Sequence, residues 1–144
     1  MGYIESNLLT DERIVHKARL HWLIFWKAPA VMAASAPLFQ LEPVVGALVF
    51  GVGILLCIPP LISYVTSEFG VTSRRVIVKT GVLRRRTLEL LLRQVEAISI
   101  DQTVMGRLFN YGSVTLSGTG GVREVFHNIA APLEFRRQIQ SLTT

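Results

Sequence analysis

The chain of 144 residues contains a single cysteine, Cys57, and only 17% of its residues are charged. One cysteine excludes an internal disulfide and any zinc site built from several cysteines. Cys57 itself lies in an apolar stretch, where a thiol packs as a small apolar side chain. The shortage of charge is concentrated in residues 43–67, which contain no charged residue. About twenty residues of apolar helix cross the hydrocarbon core of a bilayer, so this segment predicts a membrane span.

Acidic residues are also absent from the basic run that begins at Arg74. Residues 74–86 carry six basic residues and no acidic one, and residues 67–144 hold eleven Lys/Arg against six Asp/Glu, which accounts for the whole net charge of +5. Basic charge directly after a span is typical of the cytoplasmic side of a membrane and is attracted to anionic lipid heads. No nucleic-acid recognition motif accompanies the charge, so nucleic acid is not an expected partner.

A first apolar stretch, residues 23–41, precedes the second one and is separated from it by a short turn at Glu42 and Pro43. The two stretches predict a transmembrane helical hairpin over residues 23–67. Pro59 and Pro60 should kink or end its second helix, because each proline removes a backbone donor. The competing interpretation is a soluble α/β protein in which both helices are buried.

The charges that flank the hairpin predict its orientation. Residues 40–45 contain no Lys or Arg, whereas basic residues occur on both outer flanks, so both termini are expected in the cytoplasm and the protein in the cytoplasmic (inner) membrane. Trp22, Trp26 and Lys27 lie at the start of the first stretch and are candidate anchors at the membrane interface. The first twenty-two residues contain six charged residues and lack the apolar region of a cleavable signal peptide.

Residues 12–22 alternate apolar and polar side chains, which predicts a half-buried strand before the hairpin. A helix is the alternative, since Ile14, Ala18 and Leu20 could share a helical face. Residues 1–11 are polar, and we expect them to be loosely ordered.

From residue 68 onward the sequence predicts short strands, a helical turn at 104–110 and an amphipathic helix at 132–142 that Pro132 opens. The predicted fold class is an α+β membrane protein. It combines the two-helix hairpin with a small antiparallel β-barrel or curved sheet that the C-terminal helix covers. The predicted organisation is residues 1–22 with a first strand, residues 23–67 as the hairpin and residues 68–144 as the remaining domain.

The order and spacing of several short motifs resemble the bacterial pleckstrin-homology (PH) domain family, in particular small membrane proteins of the YdbS/YdbT type. That resemblance implies a PH-like barrel with two spans inserted after its first strand, and it covers nearly the whole chain. The matching positions are Leu8, Glu12, His21 and Trp22 in the front half, then Thr72, Arg75, Gly81, Val82, Arg85, 98–102, Gly106, Arg107, Leu108, Tyr111, Gly112, Val114, Pro132 and Phe135.

The basic run supplies the candidate contact residues for lipid or a partner. The plain alternative is a solvated hairpin flank whose charge only sets membrane topology. In a strand, Arg84 and Arg86 would share one face and Arg85 the other. The predicted contact residues are Arg74, Arg75, Lys79, Arg84, Arg85 and Arg86.

No catalytic residue, metal ligand or cofactor site is predicted. His16, His21 and His127 lack metal-ligand spacing, and no nucleophile motif is present. The glycine-rich residues 118–121 lack the lysine of a P-loop and are more simply a hairpin loop.

We therefore expect a non-enzymatic, membrane-anchored PH-like module that binds a membrane-protein partner or a second copy of itself, through a sheet edge or the groove beside the helix. The alternative is a module that binds or senses anionic lipid through the basic hairpin. A second alternative is a subunit or enzyme of envelope or lipid metabolism. Salt dependence separates the first two, because attraction to lipid heads weakens with ionic strength.

Overall fold

The computed structural model describes residues 2–81 and 85–143. Within them, helices and strands follow one another as α1 (Tyr3–Ser6), β1 (Ile14–Ala18), a 3₁₀ turn (Trp22–Phe25), α2 (Lys27–Leu41), α3 (Pro43–Leu55), α4 (Ile58–Thr66), β2 (Glu68–Thr72), β3 (Arg75–Thr80), β4 (Arg86–Leu91), a 3₁₀ turn (Leu92–Gln94), β5 (Val95–Asp101), α5 (Val104–Phe109), β6 (Tyr111–Gly118), β7 (Val122–Ala130) and α6 (Pro132–Thr143).

The chain forms two compact units. The sheet unit comprises Met1–His21 and Thr66–Thr144, and the helical unit comprises Trp22–Val65. The helical unit is thus inserted between β1 and β2, which are hydrogen-bonded neighbours in one sheet.

The first sheet of the sheet unit has the antiparallel order β1-β2-β3-β4. Successive side chains of a strand point to opposite faces, so the apolar alternation of β2 and β3 directs Phe69, Val71, Val76 and Val78 into the core. A strand was predicted within residues 12–22, and β1 occupies its central part. The helical alternative for these residues is wrong.

The second sheet has the antiparallel order β5-β6-β7. Along β6 every second residue is buried, and Val114 and Leu116 reach the core. The two sheets are linked at one corner, where Leu20 forms a bridge with Ile129 and the backbone N–H of His21 donates to the Asn128 carbonyl at 2.7 Å. The predicted α+β class is confirmed by the two antiparallel sheets and the helices that accompany them.

Helix α6 covers the core. It begins at Pro132, where a missing backbone N–H costs nothing because the first helical turn does not need it. Phe135 and Ile139 are four residues apart, so both side chains face the core. Both side chains are fully buried among residues of the two sheets. The predicted C-terminal amphipathic helix is therefore present.

The first eleven residues are more ordered than expected. Helix α1 lies on the outer face of the first sheet, where Ile4 is buried against Gly70. The Glu68 carboxylate accepts hydrogen bonds from the backbone N–H groups of Tyr3 and Ile4 at 3.0 and 3.2 Å. The expectation of loose order is wrong because one apolar side chain and one capping carboxylate anchor a segment that is otherwise polar.

In the helical unit, α2 and α3 pack closely against each other. A Cβ atom on Gly46 would lie 2.7 Å from the Phe39 backbone nitrogen, so only glycine permits this approach. The second apolar stretch breaks between α3 and α4, immediately before Pro59 and Pro60, as their missing N–H groups predicted. Two apolar helical stretches are long and apolar enough to span a membrane, Trp22–Leu41 and Pro43–Thr66, with mean hydropathies of 1.3 and 2.4.

Candidate functional site

Strand register divides the predicted basic contact residues between the two ends of the first sheet. Lys79 pairs with Glu68, and Thr80 pairs with Arg86, so Lys79, Arg85 and Arg86 lie at the end where β1 and β2 connect to the helical unit. We call this the junction end. Arg74 and Arg75 lie at the other, distal end, beside the β2–β3 turn. Arg84 lies outside the described residues. Among the described residues of this basic run, the charges therefore lie at both ends of the first sheet.

Arg75 is held by acceptors from two directions. Its Nε donates to Glu12 Oε1 and its Nη2 donates to Glu12 Oε2, both at 3.0 Å. Its Nη1 donates to Glu89, and its Nη2 also donates to the Asn7 carbonyl at 2.7 Å. The Arg75 side chain is only 12% exposed. This guanidinium joins the N-terminal segment to β3 and β4 and is directed toward protein acceptors.

Glu12 is the buried partner in this cluster. Burial of its side chain opposes ionisation, but donors from Arg75, the Leu9 backbone N–H and the Thr72 hydroxyl outweigh that effect and lower the pKa of Glu12 to about 2. The Thr72 hydroxyl donates to Glu12 Oε1 at 2.6 Å. The same ion pair raises the pKa of Arg75. Glu12 thus stays ionised in a buried position, and the cluster is a structural clamp.

The remaining basic residues at the junction end differ in their surroundings. Lys79 is half-buried, and its Nζ lies 4.8 Å from the centre of the Tyr3 ring, a cation–π contact. Arg85 and Arg86 are exposed. The guanidinium groups of Arg85 and Arg86 are therefore accessible at the junction end of the first sheet.

A cleft at the distal end combines apolar and basic side chains. Its volume is about 490 Å³. Leu92 is buried, Leu91 and Leu142 are half-buried, and Arg74 and Arg93 are exposed. We call it the distal cleft, and its lining residues are Ser73, Arg74, Leu91, Leu92, Arg93, Leu142 and Thr143.

A second groove of about 470 Å³ lies between β5 and α6. Its wall contains Glu96 and the polar side chains of Gln140 and Thr143, with no basic residue among those that line it. Of the two openings beside α6, the distal cleft is the one suited to an anionic group on an apolar ligand.

The proposed interface anchors belong to the helical unit. Trp22 and Trp26 are each 60% exposed and lie four residues apart, and Lys27 is the exposed first residue of α2. Their role at a membrane interface stays a prediction.

Helix α5 is a feature that sequence patterns identified only as a turn. Thr103 caps it by accepting the Gly106 backbone N–H at 3.0 Å, and Asn110 ends it with φ of 56°. Gly106 is required, because a Cβ atom there would lie 2.6 Å from the Tyr111 carbonyl oxygen. The alternation rule used for strands could not have found this helix.

The histidines and the glycine-rich loop have structural surroundings. His16 lies near Phe135, His21 stacks on Tyr111 with ring centres 5.2 Å apart, and His127 is hydrogen-bonded to Ser113 at 2.9 Å. Residues 119–121 connect β6, which ends at Gly118, to β7, and Gly120 and Gly121 have positive φ. They form the predicted hairpin loop.

Comparison with known proteins gives a family and a distant structural similarity. The sequence profile described as Bacterial PH domain matches residues 28–143. A crystal structure of a DUF1696 family protein with a pleckstrin-homology domain from Shewanella loihica is similar, with 11% sequence identity and a TM-score of 0.42. The alignment covers 56% of this chain and 74% of that one. No curated protein matches this chain. The YdbS/YdbT label stays a prediction.

Proposed function

The chain belongs to the bacterial PH domain family, and from this premise we propose that it is a non-catalytic, membrane-anchored module that binds a protein partner at the cytoplasmic face of the membrane. PH-like domains are typically interaction modules, but a shared fold does not identify the ligand. The proposal therefore rests on this chain's own surfaces and on its two apolar helical stretches.

The proposed anchor is the helical unit. Only 11% of each spanning window is buried, so these apolar side chains are not covered as they would be in the core of a soluble protein. A bilayer would cover them. Basic residues flank both ends of the hairpin, whereas residues 40–45 contain none, which supports cytoplasmic termini. The domain division at residues 22 and 67 stays part of this proposal.

The observation that carries the partner-binding proposal is the distal cleft. Its lining combines leucine side chains with two arginines. It lies at the end of the first sheet that is opposite to the connections with the helical unit. An apolar side chain followed by a carboxylate on a partner segment would fill the cleft and pair with Arg74 or Arg93. That complementarity favours a protein segment of the cytoplasmic side, either from another membrane protein or from a second copy.

The partner proposal predicts a complex that charge reversal in the cleft abolishes. We expect the full chain, purified from native membranes in mild detergent, to retain a stoichiometric protein partner, and R74E/R93E to lose it. Mass spectrometry of the purified complex identifies the partner, and co-expression of two differently tagged copies detects self-association.

The matched control is Arg123→Glu, an exposed arginine on β7 outside the cleft. It changes the net charge in the same direction and should retain the partner. Equal retention by R74E/R93E and by the control, or co-purification of lipid alone, would contradict the partner proposal.

A second candidate function is contact with anionic lipid through Lys79, Arg85 and Arg86; the predicted contact residue Arg84 lies outside the described residues. Their position at the junction end supports it, because the spans leave the sheet there. Each basic residue near an anionic surface adds about 1 kcal/mol of attraction.

For this candidate we expect phosphatidylglycerol to be enriched around the purified chain, and the enrichment to fall in R85A/R86A and at high salt. Lipid mass spectrometry of the detergent-purified protein measures it. If neither R85A/R86A nor high salt lowers the enrichment, the lipid-contact proposal is contradicted and these arginines only set the membrane topology.

A further inference from the structure

Among the described residues of the sheet unit, the most exposed apolar side chains are on helix α5. Val104, Met105 and Leu108 are 84%, 54% and 73% exposed, although the helix has only six residues. Contiguous exposed apolar side chains mark binding surfaces more often than isolated ones do.

The backbone of α5 is held in place at both ends. Besides the Thr103 cap and the turn at Asn110, the Gln102 side chain donates to the Tyr111 carbonyl at 3.0 Å, and the Ala131 N–H donates to the Asn110 carbonyl at 2.9 Å. A flexible loop could fold its apolar side chains inward. This helix is fixed at both ends and presents them to the outside.

The position of α5 points to the nature of its partner. Tyr111 follows the helix and stacks on His21, the last residue of the sheet unit before the chain enters the helical unit. The adjacent bridge between Leu20 and Ile129 fixes this corner. The apolar helix therefore lies beside one of the two connections that lead to the predicted spans.

The charge on this segment is of one sign. Arg107 is exposed on α5, and the helix contains no acidic residue; the carboxylate nearest to it in sequence is the exposed Asp101 at the end of β5. Apolar side chains next to a cation, without a carboxylate, are the composition of segments that lie in the interface of an anionic bilayer. A lipid surface thus fits both the apolar side chains and the charge.

We propose that α5 is a second membrane contact, in which Val104, Met105 and Leu108 enter the head-group region and Arg107 pairs with lipid phosphate. This inference rests on the proposed membrane anchoring and adds a contact made by the sheet unit itself. The contact would restrain the sheet unit against the bilayer surface beside its junction end.

Site-directed spin labelling of the full chain tests the proposal. In a Cys57→Ala background, a nitroxide at Leu108→Cys is placed in nanodiscs that contain phosphatidylglycerol. Its relaxation by oxygen, which concentrates in lipid, is compared with its relaxation by a water-soluble nickel chelate. We expect oxygen to relax the label at Leu108 more strongly than nickel does.

Two reference positions separate the possible failures. Val52→Cys on α3 reports the anchor, and Val125→Cys on β7 reports an exposed apolar site elsewhere on the sheet unit. We expect the oxygen-to-nickel ratio at Leu108 to lie between the high ratio at Val52 in the hydrocarbon and the low ratio at Val125 in water. If Val52 is accessible to nickel, the anchoring proposal fails.

If Val52 is in lipid and Leu108 is accessible to nickel, the α5 proposal alone is overturned. Protection of Leu108 from both reagents would mean that protein covers it, either a partner or a second copy, and would also overturn the proposal. A second labelled variant carries the nitroxide at Met105→Cys. If lipid is the contact, adding Val104→Asp should withdraw the helix from the bilayer and make this label accessible to nickel.

Discussion

Replacing Arg75 with leucine is expected to lower the free energy of unfolding of the sheet unit by about 3–5 kcal/mol, because it leaves the buried Glu12 carboxylate without its ion-pair partner. The Glu12 side chain has no exposed surface. Native-state hydrogen exchange at the β2 and β3 amides, with the full chain in mild detergent, measures the loss.

Arg137→Leu is the matched control for this substitution. Arg137 also forms an ion pair, with Glu134 at 3.3 Å, but its side chain is 78% exposed. Exposed pairs contribute about 0–1 kcal/mol, so exchange should change little. A similar small effect for both substitutions would show that the Glu12–Arg75 pair is not a stabilising clamp.

The pH dependence of stability shows whether Arg75 stabilises the fold through its ion pair with Glu12 or only through packing of its side chain. Glu12 has a pKa of about 2 in the folded protein against a usual value of 4.5. A depressed carboxyl pKa stabilises the fold above pH 4.5, and this contribution is lost as the pH falls toward 2. The shift corresponds to about 3 kcal/mol at 1.36 kcal/mol per pKa unit.

Variants at the pair should change that pH profile in opposite ways. Glu12→Gln removes the titrating group, so this part of the acid-induced loss should disappear. In Arg75→Leu, the carboxyl is buried without a cation and its folded pKa rises above the usual value. Stability of that variant should therefore increase as acid protonates Glu12. An unchanged profile in both variants would contradict the assignment.

Phe135→Ala is the second substitution with a large expected effect. The ring is fully buried between α6 and the two sheets, and truncation of a buried phenylalanine costs about 3–5 kcal/mol through lost burial and the cavity left behind. We expect faster hydrogen exchange at the α6 amides and at core strands β2 and β6.

Leu133→Ala tests whether the effect comes from the core or from the helix itself. Leu133 lies two residues earlier on the same helix and is 46% exposed. Alanine favours helix at either position, so only the Phe135 substitution should accelerate exchange. Equal effects would mean that α6 does not depend on its buried face.

Several surfaces of the sheet unit were outside the reach of sequence patterns. The basic residues from Arg74 to Arg86 are close in sequence, but β3 runs from one end of the first sheet to the other between Arg75 and Thr80, so the described charges lie at opposite ends. Arg75 forms its ion pair with Glu12, which is 63 residues earlier. Sequence spacing contains no information about such a pair.

Local chemistry determined the elements of this protein. The uncharged stretch, the prolines at 59 and 60, the alternation before Trp22 and the four-residue spacing in α6 each depend on near neighbours. They correspond to apolar helices, a break between α3 and α4, strand β1 and helix α6. Tertiary structure alone decided which side chains those elements bring together. It buried Ile4 under the first sheet, joined Glu12 to Arg75, opened the distal cleft and left the apolar side chains of α5 exposed beside His21. The physical reason is that these contacts join residues far apart in the chain, and their energies depend on burial and distance, which exist only after the strands have paired.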